Sequence, residues 1–236
     1  MDYSFLSKTN IFSGITVNEI KSLIKCINAI EKIYEKDDII LHAGNSCECM
    51  GLVISGSVNI IANYYWGGSN IFGHVTAGRI FAEAYSLLSG NELLCDVSAA
   101  EKTSVLFMNT KKILAVCKNA CPSHILLMQN LIKISAQKNL SLSSRMMHTA
   151  SKRIRDRLLS YLSEQAFLSG SNQFTVPFSR QQLADYLGTE RSALSGELSK
   201  MRRDGLIDYN KNRFVLLNKQ IAKSTQKKDR TLRSSC

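Results

Sequence analysis

The run from Arg191 to Lys200, "RSALSGELSK", joins one guanidinium to several side chains that end at or near the β-carbon. An arginine can donate two parallel hydrogen bonds to one flat acceptor edge, and neighbours this short let a helix backbone approach that edge closely. The spacing predicts a helix. Leu194, Leu198 and Met201 fall at i, i+4 and i+7 on one side. Glu190, Arg191, Ser192, Ser195, Gly196 and Ser199 fall on or beside the opposite face, with Lys200, Arg202 and Arg203 flanking it. Such a face recognises a surface and does not break bonds. No Ser/His/Asp set and no pair of carboxylates stands out elsewhere, so there are no catalytic candidates and an enzyme is not expected.

The elements that must position this face precede and follow it. Ser179-Arg180-Gln181-Gln182 fits a capping box, in which a Ser hydroxyl accepts from an orphan N–H and a Gln three residues on reaches back. Leu183 and Leu187 lie one turn apart on that helix; Gly188 supplies a tight turn and Thr189 is a candidate cap for the next helix. After the second helix, "GLIDYNKNRFVLLN" gives two β runs around Asn210-Lys211-Asn212, a wing. Before it, a helix over about 151–168 sets Ile154, Leu158, Leu159, Tyr161 and Leu162 against Lys152, Arg153, Arg155 and Arg157. Together these predict a winged helix-turn-helix over 151–218, whose second helix suits the major groove of double-stranded DNA.

Charge agrees with that placement. Residues 1–144 hold 12 Lys/Arg against 11 Asp/Glu, whereas 145–236 hold 18 against 8, so the net charge of +11 sits almost wholly in the C-terminal part. A polyanion is the expected partner of that part alone. The basic, polar stretch 219–236 has little to bury and is expected to be a disordered tail. Seven scattered cysteines, at 26, 47, 49, 95, 117, 121 and 236, read as reduced thiols rather than a disulfide framework. With no apolar run long enough for a bilayer and no signal-peptide pattern at the start, the expectation is a cytoplasmic protein with no membrane partner.

The N-terminal part has a different texture. Residues 14–27 show helical spacing at Ile20, Leu23, Ile24 and Ile27 with Thr16 as N-cap. From about 28 to 108, short Val/Ile/Leu runs such as "DIILHAG", "CMGLVISGSVNIIA", "SNIFGHV" and "TSVLFM" alternate with turn residues, the pattern of an antiparallel sandwich or roll; "WGGSN" at 66–70 fits a hairpin turn. This domain is expected to occupy 1–121. A long helix follows over 122–150, with Ile125, Leu127, Met128, Leu131, Ile132, Ile134, Leu140 and Leu142 in a band too broad for one neighbour. Contact on two sides predicts a homodimer built on this helix.

The stretch "FSRQQLADYLGTERSALSGELSKMRRDGLI", preceded by a glycine-punctuated β domain and a long helix, resembles the Crp/Fnr superfamily of bacterial transcription regulators over about 14–217. The resemblance implies an α+β architecture: an N-terminal cyclic-nucleotide-binding-like β-roll (a jelly roll), a long dimerisation helix and a C-terminal winged helix-turn-helix. It implies that Arg191 reads a guanine, that Ser179 and Gln181 touch phosphates, and that RNA polymerase is a partner if the chain activates. Members that read TGTGA- or TTGAT-type half-sites commonly carry a second Arg where Gly196 stands, so this chain is expected to read another sequence or to lean more on DNA shape.

The resemblance also places an effector pocket near Glu83, Ala84, Leu93 and Leu94. Cyclic-AMP binders of the family hold ribose and phosphate with a Gly-Glu pair and an Arg-Ser pair. Here Ala82 precedes Glu83, and Leu93-Leu94 stand near the Arg-Ser position. Leucine cannot meet a buried phosphodiester, which argues against cyclic AMP and leaves an unknown small effector. With no cysteine before Cys26, an iron–sulfur cluster is not expected. Cys47 and Cys49 are candidates for a redox pair and Cys117 with Cys121 for a thiol sensor; His74 stands alone on a strand, and no metal site is expected. The rival reading is a ligand-binding regulatory module whose C-terminal domain docks a protein.

Overall fold

The chain opens with a short helix, α1 (Tyr3–Ser7), whose first turn is closed by Asp2 accepting from the Phe5 N–H at 3.0 Å. Helix α2 (Val17–Cys26) starts at the predicted Thr16, which forms a full capping box with Glu19. Strands β1 (Ile30–Tyr34), β2 (Ile39–Leu41), β3 (Cys49–Ser55), β4 (Ser57–Asn63), β5 (Ser69–Thr76) and β6 (Ile80–Phe81) follow. A one-turn helix, α3 (Glu83–Leu87), then leads to β7 (Asp96–Ala99), β8 (Thr103–Asn109) and α4 (Thr110–Leu114). The strands form two antiparallel four-stranded sheets, ordered β1-β8-β3-β6 and β2-β7-β4-β5, the roll that the strand spacing predicts. The computed structural model describes residues 1–88, 90–115 and 121–217.

Val53, Val58, Phe81, Val97, Ala99 and Val105 form one buried cluster of the roll. Gly51 makes room for it: a β-carbon there would lie 2.3 Å from the Phe81 ring. A second cluster joins Met50, Leu52, Leu106 and Met108 to Leu6 and Phe12 near the N-terminus, to Ile20 of α2, and to Leu127 and Leu131. The last two belong to α5 (Pro122–Thr149). The segment carrying Leu6 and Phe12 was not legible as structure in the sequence, because its five- and three-residue turns are too short to show a period. At the β4–β5 hairpin, Tyr64 N–H donates to the Gly68 carbonyl at 3.1 Å, and Gly67 and Gly68 both have φ of +89°.

The chain divides into two units, Met1–Lys138 and a second beginning at Asn139, so α5 contributes to both. Along α5, Ile125, Ile132, Leu140, Leu142, Met146 and Met147 remain exposed while Leu127 and Leu131 are buried. The second unit continues with α6 (Ile154–Ser169), β9 (Gln173–Thr175), α7 (Arg180–Leu187), α8 (Arg191–Arg203), β10 (Ile207–Asn210) and β11 (Arg213–Leu216). Leu158, Leu162, Leu183, Leu187, Leu194, Leu198, Met201, Ile207 and Phe214 make its core. Its sheet has three strands, β10-β11-β9; β9 pairs with the wing through Phe174 opposite Phe214 and was missed in the sequence as a three-residue strand. No helix among the described residues is long and apolar enough to cross a membrane. The predicted tail at 219–236 lies outside the described residues, as does Cys117.

Candidate nucleic-acid interface

Helix α7 begins as the sequence predicts. Ser179 Oγ accepts from the Gln182 N–H at 3.3 Å and Gln182 Oε1 accepts from the Ser179 N–H at 2.8 Å. It ends at Gly188, whose φ of +62° is the left-handed turn that glycine adopts without strain. The next residue departs from expectation. Thr189 does not cap α8; its N–H donates back to the Ala184 carbonyl at 3.0 Å to close α7, and Glu190 takes the N-cap position without a side-chain bond. A left-handed helix end draws on two residues beyond the last turn, which pushes the start of the next helix one position on.

Leu194, Leu198 and Met201 of α8 are fully buried. Arg191, Ser192, Gly196, Ser199 and Lys200 are exposed, Ser195 is half-buried, and Ser199 Oγ donates to the Ser195 carbonyl at 3.0 Å. A β-carbon at Gly196 would meet nothing within 4 Å. Arg191 makes no ion pair among the described residues, and Lys200 has only a long 3.9 Å contact with Glu197. Glu190, Ser179 and Gln181 are exposed near the two helix starts, with Gln181 donating to Asp185 at 2.8 Å.

Other basic residues are engaged inside the unit. Arg155 on α6 pairs with Glu197 at 2.6 Å and with Asp204 at 2.7 Å, clamping α8 from both ends of its second half. Arg157 donates to the Leu187 and Gly188 carbonyls at 2.9 and 3.0 Å, bracing the turn. Arg180 is half-buried: it donates to the Lys211 carbonyl at 3.0 Å and lies over the Tyr209 and Phe214 rings. Burial pulls its pKa down from the usual arginine value. That side chain ties α7 to the wing. Arg202 pairs with Asp208 at 2.6 Å. No sequence signal separates these bracing cations from exposed ones, because their acceptors are mostly backbone carbonyls or carboxylates distant in the chain.

In the first unit, Glu83 is buried and its carboxylate meets Lys138 Nζ at 2.7 Å; Lys138 also donates to the Ile80 carbonyl at 2.9 Å. Of the other predicted pocket residues, Leu93 is buried, while Ala84 and Leu94 are exposed. Cys47 is buried with its thiol donating to the Cys49 carbonyl at 2.8 Å. Burial is the main cause that raises both thiols above the ordinary cysteine value, the opposite of what a reactive thiolate needs. His74 sits against the Asn59 amide oxygen at 2.8 Å. No cluster of three or more metal-ligating side chains occurs among the described residues.

Two family models match the chain: a cyclic nucleotide-binding domain over 31–120 and a Crp-like helix-turn-helix domain over 152–220. Solved structures of similar fold include a mutant of CooA from Carboxydothermus hydrogenoformans, 19% identical over 92% of this chain and 99% of that one, with a TM-score of 0.54. The c-di-GMP-responsive global regulator CLP of Xanthomonas campestris is 17% identical over 86% of this chain and 100% of its own, at 0.53. CprK complexed with OCPA is 15% identical over 86% and 93% of the two chains, at 0.56. No curated protein matches.

Proposed function

The chain belongs to the Crp/Fnr family of transcription regulators, DNA-binding proteins with a ligand-binding domain, and on that premise we propose how this member works. Two copies pair along α5 in the cytoplasm and present two α8 helices to successive major grooves of double-stranded DNA. The exposed apolar residues of α5 support the pairing: Ile125, Ile132 and Met146 recur at multiples of seven, the seam of a two-stranded coil.

One observation carries the DNA-contact assignment. Arg155, Arg157, Arg180 and Arg202 are engaged within the unit, whereas Arg191 stands unpaired at the start of an exposed face of short side chains. Arg191 therefore reads a base edge. Ser192, Ser195, Gly196 and Ser199 keep the backbone close to the groove, and Lys200, Ser179 and Gln181 meet phosphates. Arg180 holds the wing in place instead of contacting DNA.

The roll senses a small effector other than cyclic AMP. The acid at the ribose position is already paired with Lys138, and Leu93 and Leu94 supply no donor to a phosphodiester. If the protein activates, RNA polymerase is its further partner. Selection of bound duplexes from a random pool, with salt titration of the winner, tests the whole reading. The expected result is a two-fold symmetric motif with half-sites about one helical turn apart, ~34 Å, and log K falling linearly with log salt. An asymmetric or absent motif, with binding indifferent to salt, points to a protein-docking domain instead.

A further inference from the structure

In the second unit the last turns of α5, the middle of α6 and the end of α7 enclose a cavity of about 460 Å³. Small-molecule sites take roughly 300–1,000 Å³. Its wall is aromatic: Tyr161, Phe178 and Tyr186 pack with ring centroids 6.0, 5.4 and 5.1 Å apart. Leu140 and Leu168, each 70% exposed, also line it. None of its lining residues belongs to α8, so it lies apart from the face assigned to DNA.

The charge of the lining is unlike that of the surrounding chain. From residue 145 on, basic residues outnumber acidic ones 18 to 8, yet no lining residue is cationic and one, Glu164, is anionic. Glu164 is held in place by Ser144, which donates to Oε1 at 2.6 Å, and by His148 at 3.2 Å from Oε2. The nearby Arg145 lies over the Tyr186 ring but is engaged with the Asp185 and Tyr186 carbonyls. One polar group in the wall is unsatisfied. Tyr161 is 2% exposed, and its hydroxyl has no hydrogen-bond partner in the protein. Phenylalanine would pack as well without leaving an unpaired oxygen, so the hydroxyl is the mark of a missing partner.

We propose that this cavity is a second ligand site, one that takes a small neutral or cationic ring molecule. The ring stacks on Phe178 and Tyr186, its hydrogen-bonding edge meets the Tyr161 hydroxyl, and any positive charge faces Glu164. Phosphorylated and carboxylated ligands are excluded by the carboxylate and by the lack of a cation in the wall.

Calorimetric titration of the full chain with indole, tryptamine and indole-3-acetate tests this. Tryptamine should bind with a Kd of about 0.1–1 mM and indole somewhat more weakly, as befits ligands this small. Indole-3-acetate should bind at least ~10-fold more weakly than tryptamine, because its charge has the wrong sign. Tyr161→Phe, which removes no internal hydrogen bond, should weaken tryptamine by about 3–10-fold. Ser141→Trp, made at an exposed position of α5, should fill the cavity and abolish binding while circular dichroism stays unchanged. Three outcomes overturn the proposal: no saturable heat from any probe, binding to Ser141→Trp equal to the parent, or indole-3-acetate matching tryptamine.

Discussion

Lys138 Nζ stands 2.7 Å from Glu83 Oε1, so the buried acid at the start of α3 is met by a cation of α5, the helix assigned to dimerisation. The two ends of the pair differ in exposure, 45% for the lysine side chain and 9% for the glutamate. Removing the lysine strands a carboxylate that water barely reaches; removing the carboxylate leaves an ammonium still solvated and still bonded to the Ile80 carbonyl. Lys138→Met should therefore lower unfolding stability by about 1–3 kcal/mol, and Glu83→Gln by less. Chemical denaturation of both variants checks the order. The reverse ranking would show that the pair is not what fixes Glu83.

The residue before Glu83 is strained. Ala82 has φ of +59°, the left-handed region in which a β-carbon crowds the following carbonyl. Ala82→Gly should raise stability, or leave it unchanged, where an alanine-to-glycine change elsewhere lowers it by about 0.5–1 kcal/mol. A thermal melt suffices, and a clear drop in Tm would argue against the strain.

On α8, Arg191→Ala should reduce affinity for the selected duplex by about 1–3 kcal/mol and relax preference at one base pair. Gly196→Arg meets open space, adds helix propensity worth roughly 1 kcal/mol, and brings a second guanidinium to the groove. The variant should fold and select a different half-site. Repeating the duplex selection on both proteins decides it: identical motifs would place residue 196 away from the bases.

His148 provides a pH dependence. Its ring is buried at the junction of α5, α6 and α7, with Nδ1 2.9 Å from the Tyr186 hydroxyl, Nε2 3.2 Å from Glu164 Oε2, and the Tyr161 ring edge-on at 5.4 Å. Burial lowers its pKa below the usual 6.5, an effect that Glu164 only partly offsets. The neutral ring then donates from Nε2 to Glu164 and accepts the Tyr186 hydroxyl proton at Nδ1. A depressed folded value means that the unfolded chain takes up the proton first. The stabilisation is whole above about pH 6.5 and fades as pH falls through the lower, folded pKa. Between pH 7.5 and 5.5 the parent should lose more stability than His148→Asn; parallel pH profiles would remove His148 as the cause.

What could be read from the chain was whatever is local. The Ser179–Gln182 box, the Gly188 turn, the buried spacing of Leu194, Leu198 and Met201 and the wing turn at Lys211-Asn212 each lie within one or two helical turns or one hairpin. Their chemistry is therefore written in consecutive residues. The charge asymmetry was equally plain, because composition needs no coordinates. Which cations serve that charge was not. Arg155 reaches Glu197, Arg157 reaches Leu187, and Lys138 reaches Glu83 across 42, 30 and 55 residues. A sequence shows that a side chain carries charge, but only tertiary packing chooses the acceptor that comes within 3 Å of it. The same limit hid the aromatic cavity around Tyr161, whose three rings come from α6, the segment before α7, and α7 itself. Local patterning determined that a DNA-reading helix exists, and long-range packing decided which of its basic neighbours are left to meet the DNA.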